Sequence, residues 1–296
     1  MTTTNSSRLF TACCIALTVT AMTFAIRAGI LSELSAAFNL SDTQLGWVNS
    51  MAFLGFPLAM IIGGALYNHV GAKKLLIFAF LCHVLGLVLT IMATGFWGLL
   101  ISTFFIGFAN GAVEAGCNPL ITHLYQSNKT TMLNRFHVWF PGGIVIGAII
   151  SKLMTDAGYN WQMQIAVMII PTIIYGIMTF SQSFPQVKQL ASSTLDNMKA
   201  LTSPLFIFLA LCMTLTATTE LGTQQWIDRI LSSSGASPML IMALITGVMA
   251  IGRFFAGPII HSINPTGVLL CSAIIATMGI YSMSIATGYG VYFSAL

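Results

Sequence analysis

Charge is the scarcest feature of this 296-residue sequence, with 11 Lys or Arg and 7 Asp or Glu making up 6% of the chain. A soluble protein of this length would carry about 74 charged residues at the usual ~25%. So few charges cannot cover a water-soluble globule, and 56% of the residues are hydrophobic. The mean hydropathy of +0.89 agrees. A soluble enzyme, a disordered chain, a fibre and a disulfide scaffold are excluded. Cys13, Cys14, Cys82, Cys117, Cys212 and Cys271 all fall in apolar stretches, at spacings that fit neither a disulfide framework nor a metal site. No basic run exceeds Lys73-Lys74, so nucleic acid is not an expected partner. No HExxH, nucleotide loop, Ser/His pair or carboxylate dyad appears at workable spacing, so no enzyme, cofactor or metal is expected.

What the sequence has is long apolar runs. About 20 apolar residues cross a bilayer core as one helix. Such runs cover residues 9–31, 44–67, 75–93, 96–125, 136–154, 161–180, 204–227, 239–260 and 266–287. One long polar segment, 181–203, separates the sixth from the seventh. The chain ends on Tyr289-Gly-Val-Tyr-Phe-Ser-Ala-Leu296, a tenth apolar segment only begun, so a truncated chain is the expectation. The predicted fold is an all-α membrane protein. It has a six-helix bundle at 1–181, a cytoplasmic linker at 182–203 and an incomplete C-terminal bundle at 204–296. With the N-terminus inside, the inner side holds eight basic residues: Arg8, Lys73, Lys74, Lys129, Arg135, Lys188, Lys199 and Arg253. The outer side holds two, Lys152 and Arg229. That bias predicts a multi-pass protein of the plasma (inner) membrane with a cytoplasmic N-terminus.

An internal repeat is visible. Gly64-Ala-Leu-Tyr-Asn68-His-Val-Gly71 and Gly257-Pro-Ile-Ile-His261-Ser-Ile-Asn264 each end one span and lead into the next. Their offset of 193 positions carries Arg27-Ala-Gly29 onto Glu220-Leu-Gly222. Parallel six-span halves are a transporter architecture.

The residues Gly64-x-x-x-Asn68-His69-x-Gly71-x-Lys73-Lys74 resemble the loop signature of the major facilitator superfamily. Asn68 stands where that signature normally has Asp, and His69 where it often has Arg. Span 4 carries Glu114 followed by Asn118-Pro119, and span 5 opens on Asn134-Arg-Phe-His137-Val-Trp139. Span 7 carries Glu220 with Trp226 downstream, and span 8 carries Gly252-Arg253-Phe254 with Gly257. These are similar to the fucose–galactose–glucose proton symporter branch. The resemblance implies twelve spans in two bundles around a central cavity that opens alternately to each side. It implies a secondary active transporter for a small polar solute, a sugar moved with protons. A drug or metabolite exporter of the same fold and a non-transporting membrane sensor stay open as alternatives.

Ionisable side chains inside a span are costly, so each marks a candidate site. Glu114 lies mid-way along span 4, and Gly107, Asn110, Gly111, Glu114 and Asn118 recur at helical spacing on one face. That face reads as a cavity wall, with Glu114 a proton or sugar ligand. Arg27, inside span 1, needs a partner; Glu114, Glu220 and Glu33 are the carboxylates in range. A switching ion pair, a permanent structural pair and an interfacial Arg all remain open. Glu220 lies near Gln224, Gln225 and Trp226, amides beside an aromatic face that suit a carbohydrate. An interfacial-belt role for Trp226 stays equally open. His137 and Trp139 are further candidates at the start of span 5. Lone His83 reads as structural.

Overall fold

The computed structural model describes residues 5–185, 202–262 and 265–296, with side chains given except at 256–262 and 265. Most of the linker 182–203, with Lys188 and Lys199, lies outside the described residues, as does Asn264 of the second turn.

The described residues form helices throughout. α1 is Ser6–Gly29, α2 Leu31–Phe38, α3 Asp42–Ile91, α4 Phe96–Leu124, α5 Lys129–His137, α6 Trp139–Asp156, α7 Trp161–Val167 and α8 Ile169–Ser181. After the linker come α9 (Pro204–Ala217), a π-helical turn at Thr218–Gly222, α10 (Thr223–Gln225) and α11 (Ile227–Ile230). α12 (Pro238–Ser262), α13 (Pro265–Ile285) and α14 (Tyr289–Ser294) complete the chain described. Eight helical stretches among the described residues are long and apolar enough to span a membrane.

α3 runs for 50 residues. At 1.5 Å per residue that is about 75 Å, more than twice a bilayer core. It is two traverses joined at Gly71, whose backbone (φ 76°, ψ 164°) leaves the helical region. Only glycine adopts that conformation at little cost. The second and third spans expected from the sequence are therefore both present, without a loop between them. Other boundaries shift. The fifth span begins at Lys129 and breaks at Val138, the sixth breaks at Met168, and the seventh is interrupted by the π turn.

Helix starts follow the local sequence. The Asn5 side chain accepts from Arg8 N at 3.0 Å, and Ser41 with Gln44 forms a reciprocal capping box. α3 and α4 make the most extensive helix contact, through small residues. A Cβ at Gly107 would fall on the Ala52 carbonyl oxygen, and one at Gly111 on that of Phe56. Lipid gives helices no hydrophobic push toward each other, so such close approach is what holds them.

Burial divides the chain. α1 is the buried axis of the first bundle, with Leu9, Cys13, Leu17, Ala21, Ala25 and Ala28 inside. α9 has no buried residue, and α13 is equally exposed. The two halves meet where Ala21, Ala25, Ile144 and Ala148 pack against Ile227, Leu231, Met239 and Met242.

Candidate functional site

The polar face expected along α4 is divided between two jobs. Gly107 and Gly111 face α3 as packing residues. Asn110 is fully buried in a relay through the first bundle. Its Oδ1 lies 2.8 Å from His83 Nε2, and His83 Nδ1 lies 2.8 Å from the Tyr175 hydroxyl. A carboxamide oxygen only accepts, so His83 carries its proton on Nε2 and accepts from Tyr175 on Nδ1. Asn110 Nδ2 donates to Thr23 Oγ1 at 3.0 Å, which donates to the Thr20 carbonyl at 2.7 Å. The relay joins α8, α3, α4 and α1 with both ends of the Asn110 amide occupied. Asn110 and the His83 ring are thus fully buried with their polar atoms partnered inside the first bundle.

Glu114 and Asn118 form the rest of that face. Asn118 Nδ2 donates to Glu114 Oε2 at 2.7 Å, and Glu114 is 8% exposed. His137, partly buried, ends α5 with its ring 5.0 Å from that of Phe136. Trp139 is largely exposed. Glu220 sits in the π turn. Single-turn π bulges recur at functional positions because they re-aim side chains.

Arg27 has no salt bridge among the described residues. Its Nη2 donates to Asn49 Oδ1 at 2.6 Å. Of the readings left open by the sequence, an ion pair with Glu114, Glu220 or Glu33 is not formed among the described residues. An amide oxygen takes a charge-assisted bond without a second desolvated charge, which avoids the cost of burying a carboxylate.

Asn49 also lines a cavity of about 380 Å³ between α3 and the segment after the π turn. Trp47, Ser50, Phe53, Gln225 and Trp226 share its wall. Gln225, 1% exposed, donates from Nε2 to the Phe24 carbonyl at 3.0 Å. Both amide orientations are fixed by chemistry. Arg27 can only donate, so Asn49 must turn its oxygen to it; the Phe24 carbonyl can only accept, so Gln225 must turn its nitrogen to it. Asn49 Nδ2 and Gln225 Oε1 are left buried without a partner. Gln224 is buried beside them in α10.

At the α2 end the halves are also joined by polar contacts. Arg229 Nη2 bridges Asp42 Oδ1 at 3.2 Å and Ser35 Oγ at 2.9 Å, and Ser32 donates to Asp228. Glu33 accepts from Gln164 at 3.3 Å. Burial pushes the Glu33 carboxyl above its ordinary range; bonds from the Trp161 backbone and Gln164 oppose this, and Asp228 adds to it.

The family model of the Major Facilitator Superfamily matches residues 13–296. This chain belongs to the major facilitator superfamily. It is 26% identical over 147 residues to the D-xylose transporter of Levilactobacillus brevis, covering 49% of this chain and 32% of that protein. It is 26% identical over 187 residues to a TsgA homolog of Buchnera aphidicola, covering 61% and 48%. The chain thus spans a third to a half of these relatives' lengths. A D-xylose-proton symporter structure superposes with TM-score 0.75 at 14% identity, covering 97% of this chain and 77% of that one. The Escherichia coli fucose:proton symporter gives 0.69 at 17%, covering 97% and 79%. At such identities these likenesses show the fold, and the superfamily member described here resembles the sugar symporter branch.

In this superfamily chain the loop signature links two spans. Lys73 Nζ donates to the carbonyls of Phe180 and Gln182 at 3.1 and 2.9 Å, closing the exposed end of α8. Gly71 makes the turn, Gly64 and Lys74 are exposed, and Asn68 is half-buried. Sequence reasoning did not single out Asn49, which lines the cavity and holds Arg27. Asn49 was hidden in an apolar span. The internal offset of Arg27 onto the Glu220 region was the signal that polar positions recur between halves.

Proposed function

We propose that this chain is a secondary active transporter that imports a small uncharged polyhydroxylated solute, a sugar, together with protons. The observation that carries this reading is the cavity wall itself, which includes Asn49 and Gln225, each with one buried amide atom that has no partner. A hydroxyl donates once and accepts twice, so solute hydroxyls admitted between these amides would supply the partners both lack. A buried polar atom without a partner costs about 1–3 kcal/mol, which those hydroxyls would recover. Trp47, Phe53 and Trp226 offer aromatic faces to the C–H side of a sugar ring. The volume lies within the ~300–1,000 Å³ of small-molecule sites. Arg27's charge is turned to Asn49, so the cavity favours a neutral solute.

Glu114 is the proton site of this reading. It is nearly enclosed, holds one amide bond and has a free carboxylate oxygen. Glu220 and Gln224 contribute from the second half, and His137 with Trp139 lies at the hinge between α5 and α6. The bundles at 1–181 and 204–296 rock about the cavity, joined by the linker at 182–203. The eight-to-two excess of basic residues supports an N-terminus in the cytoplasm and the α2 end outside.

The test is accumulation of radiolabelled D-xylose and L-fucose in proteoliposomes under an imposed proton gradient. Gradient-driven uptake that Glu114→Gln abolishes, with exchange at equal pH retained, is expected. Uptake that ignores the gradient, or export of apolar cations without sugar movement, overturns the reading.

A further inference from the structure

Glycines along the helix seams of the first bundle are explained by close approach. A Cβ at Gly55 would lie 2.6 Å from the Phe104 carbonyl oxygen, and one at Gly147 2.9 Å from Ala25 Cβ, so no side chain fits there. Gly46 and Gly222 are different. Among the described residues and within 4 Å, a Cβ at Gly46 would meet only the Trp226 ring, at 3.7 Å, and one at Gly222 only Thr218 Cγ2, at 4.0 Å. Both are ordinary contact distances, so packing requires neither glycine. Backbone geometry requires neither: both lack a positive φ, and Gly222 is helical at φ −62°, ψ −49°. Glycine inside a helix is less stable than alanine, so a bare position with room for a methyl group is a loss that the fold does not explain.

Both glycines line the same cavity, one from each half. Thr43, Gly46, Ser50 and Phe53 follow helical spacing along one face of α3, and Gly222, Gln225 and Trp226 do so across the cavity. Gly64, Gly142 and Gly252 also have open space at Cβ, but they lie away from this wall. The wall also includes Asn49 and Gln225, buried residues that each keep one amide atom without a partner. We propose that Gly46 and Gly222 are the size-determining positions of this cavity, two bare backbones from opposite halves that leave a slot beside the Trp226 ring for one edge of a neutral monosaccharide. Glycine lets a ligand approach the backbone closely, and any shift of one half against the other changes the width of the slot.

This inference rests on the reading of the cavity as a solute site. The test combines thermal unfolding in detergent with D-xylose titration by tryptophan fluorescence, for the wild-type chain, Gly46→Ala, Gly46→Leu and Gly222→Ala. Gly46→Ala should raise Tm by about 2 °C, because alanine is the better helix former, while D-xylose binds about tenfold more weakly. Gly222→Ala should act in the same direction, and Gly46→Leu should fold with no detectable D-xylose binding. A fall in Tm of several degrees for Gly46→Ala would make Gly46 a packing glycine and overturn the assignment, as would unchanged affinity in Gly46→Leu. If Gly46→Leu yields no folded protein, the Tm and affinity of Gly46→Ala decide. A wild-type chain that binds no D-xylose removes the solute, and the slot is then read by chemistry alone. Gly46→Cys should react with the aqueous reagent methanethiosulfonate ethyltrimethylammonium above the wild-type background, and adding Gly222→Leu should suppress that reaction. Reaction that Gly222→Leu leaves unchanged, or no reaction at all, overturns the slot.

Discussion

Two buried amides on neighbouring helices show how a structural polar group differs from one held for a ligand. Asn110 and Asn49 are both nearly inaccessible, at 0% and 5% exposure. Asn110 donates and accepts within the first bundle, and its relay closes on the Thr20 carbonyl. Asn49 meets Arg27 with its oxygen and leaves its nitrogen buried without a partner, in a residue that lines a cavity. Burial does not separate them, but the count of satisfied atoms does. A saturated amide fastens helices; an unsaturated one waits for a partner from outside the chain.

The hardest test of that contrast is Asn49→Leu. It strands the Arg27 guanidinium as well as emptying the cavity wall, so Tm should fall by an amount equivalent to about 3 kcal/mol or more. Adding Arg27→Leu should recover most of that fall. If Asn49→Leu is harmless, Arg27 has another partner and the cavity needs redrawing. Asn110→Leu should cost about 2 kcal/mol, by leaving the His83 N–H and Thr23 without their amide, and should show as lower Tm with unchanged sugar affinity. Gln225→Leu removes an unpaired acceptor together with the one bond that Nε2 donates to the Phe24 carbonyl, whose net worth is about 1 kcal/mol. Stability should stay within about 1 kcal/mol of wild type, while D-xylose titrated against tryptophan fluorescence binds at least tenfold more weakly. A large loss of stability there would erase the distinction between the two amides.

The smallest effect concerns pH at the α2 end. The Glu33 carboxyl is raised above its ordinary range, chiefly by burial. The folded state therefore favours the protonated form. Its stabilising effect is complete below the ordinary carboxylate range and is lost as pH rises through the raised value. Glu33→Gln should raise Tm slightly at neutral pH and leave it unchanged near pH 4. An equal shift at both pH values would assign Glu33 no protonation effect.

Much of the fold was legible in the sequence. Apolar runs gave the traverses, and Gly71 within its motif gave the turn inside α3, because a span's length and a glycine's freedom are local properties. The candidate site was legible only in part. Glu114 and Asn118, placed on one helix face by their spacing, are hydrogen-bonded to each other. Asn110 did not join them, since small and polar residues on one helix face serve close packing as well as cavities, and spacing does not tell which. Arg27's amide partner was invisible for a related reason. A buried charge announces that it needs a partner, but the partner lies on another helix, and an asparagine in an apolar run carries no sign of being chosen. The relay through His83 and the interruption of the seventh span were equally hidden in one-dimensional spacing.

The π turn at Thr218–Gly222 sets the phase of everything after it. An α-helix advances about 100° per residue, so one extra residue in a turn rotates the following segment by about that angle. Before the turn, α9 presents no buried residue; after it, Gln224 and Gln225 are buried. The turn thus works as a clutch between a helix with no buried side chain and a segment packed against the protein. Deleting a single residue from 218–222 would not merely shorten the span: it would dial Gln225 out of the cavity wall.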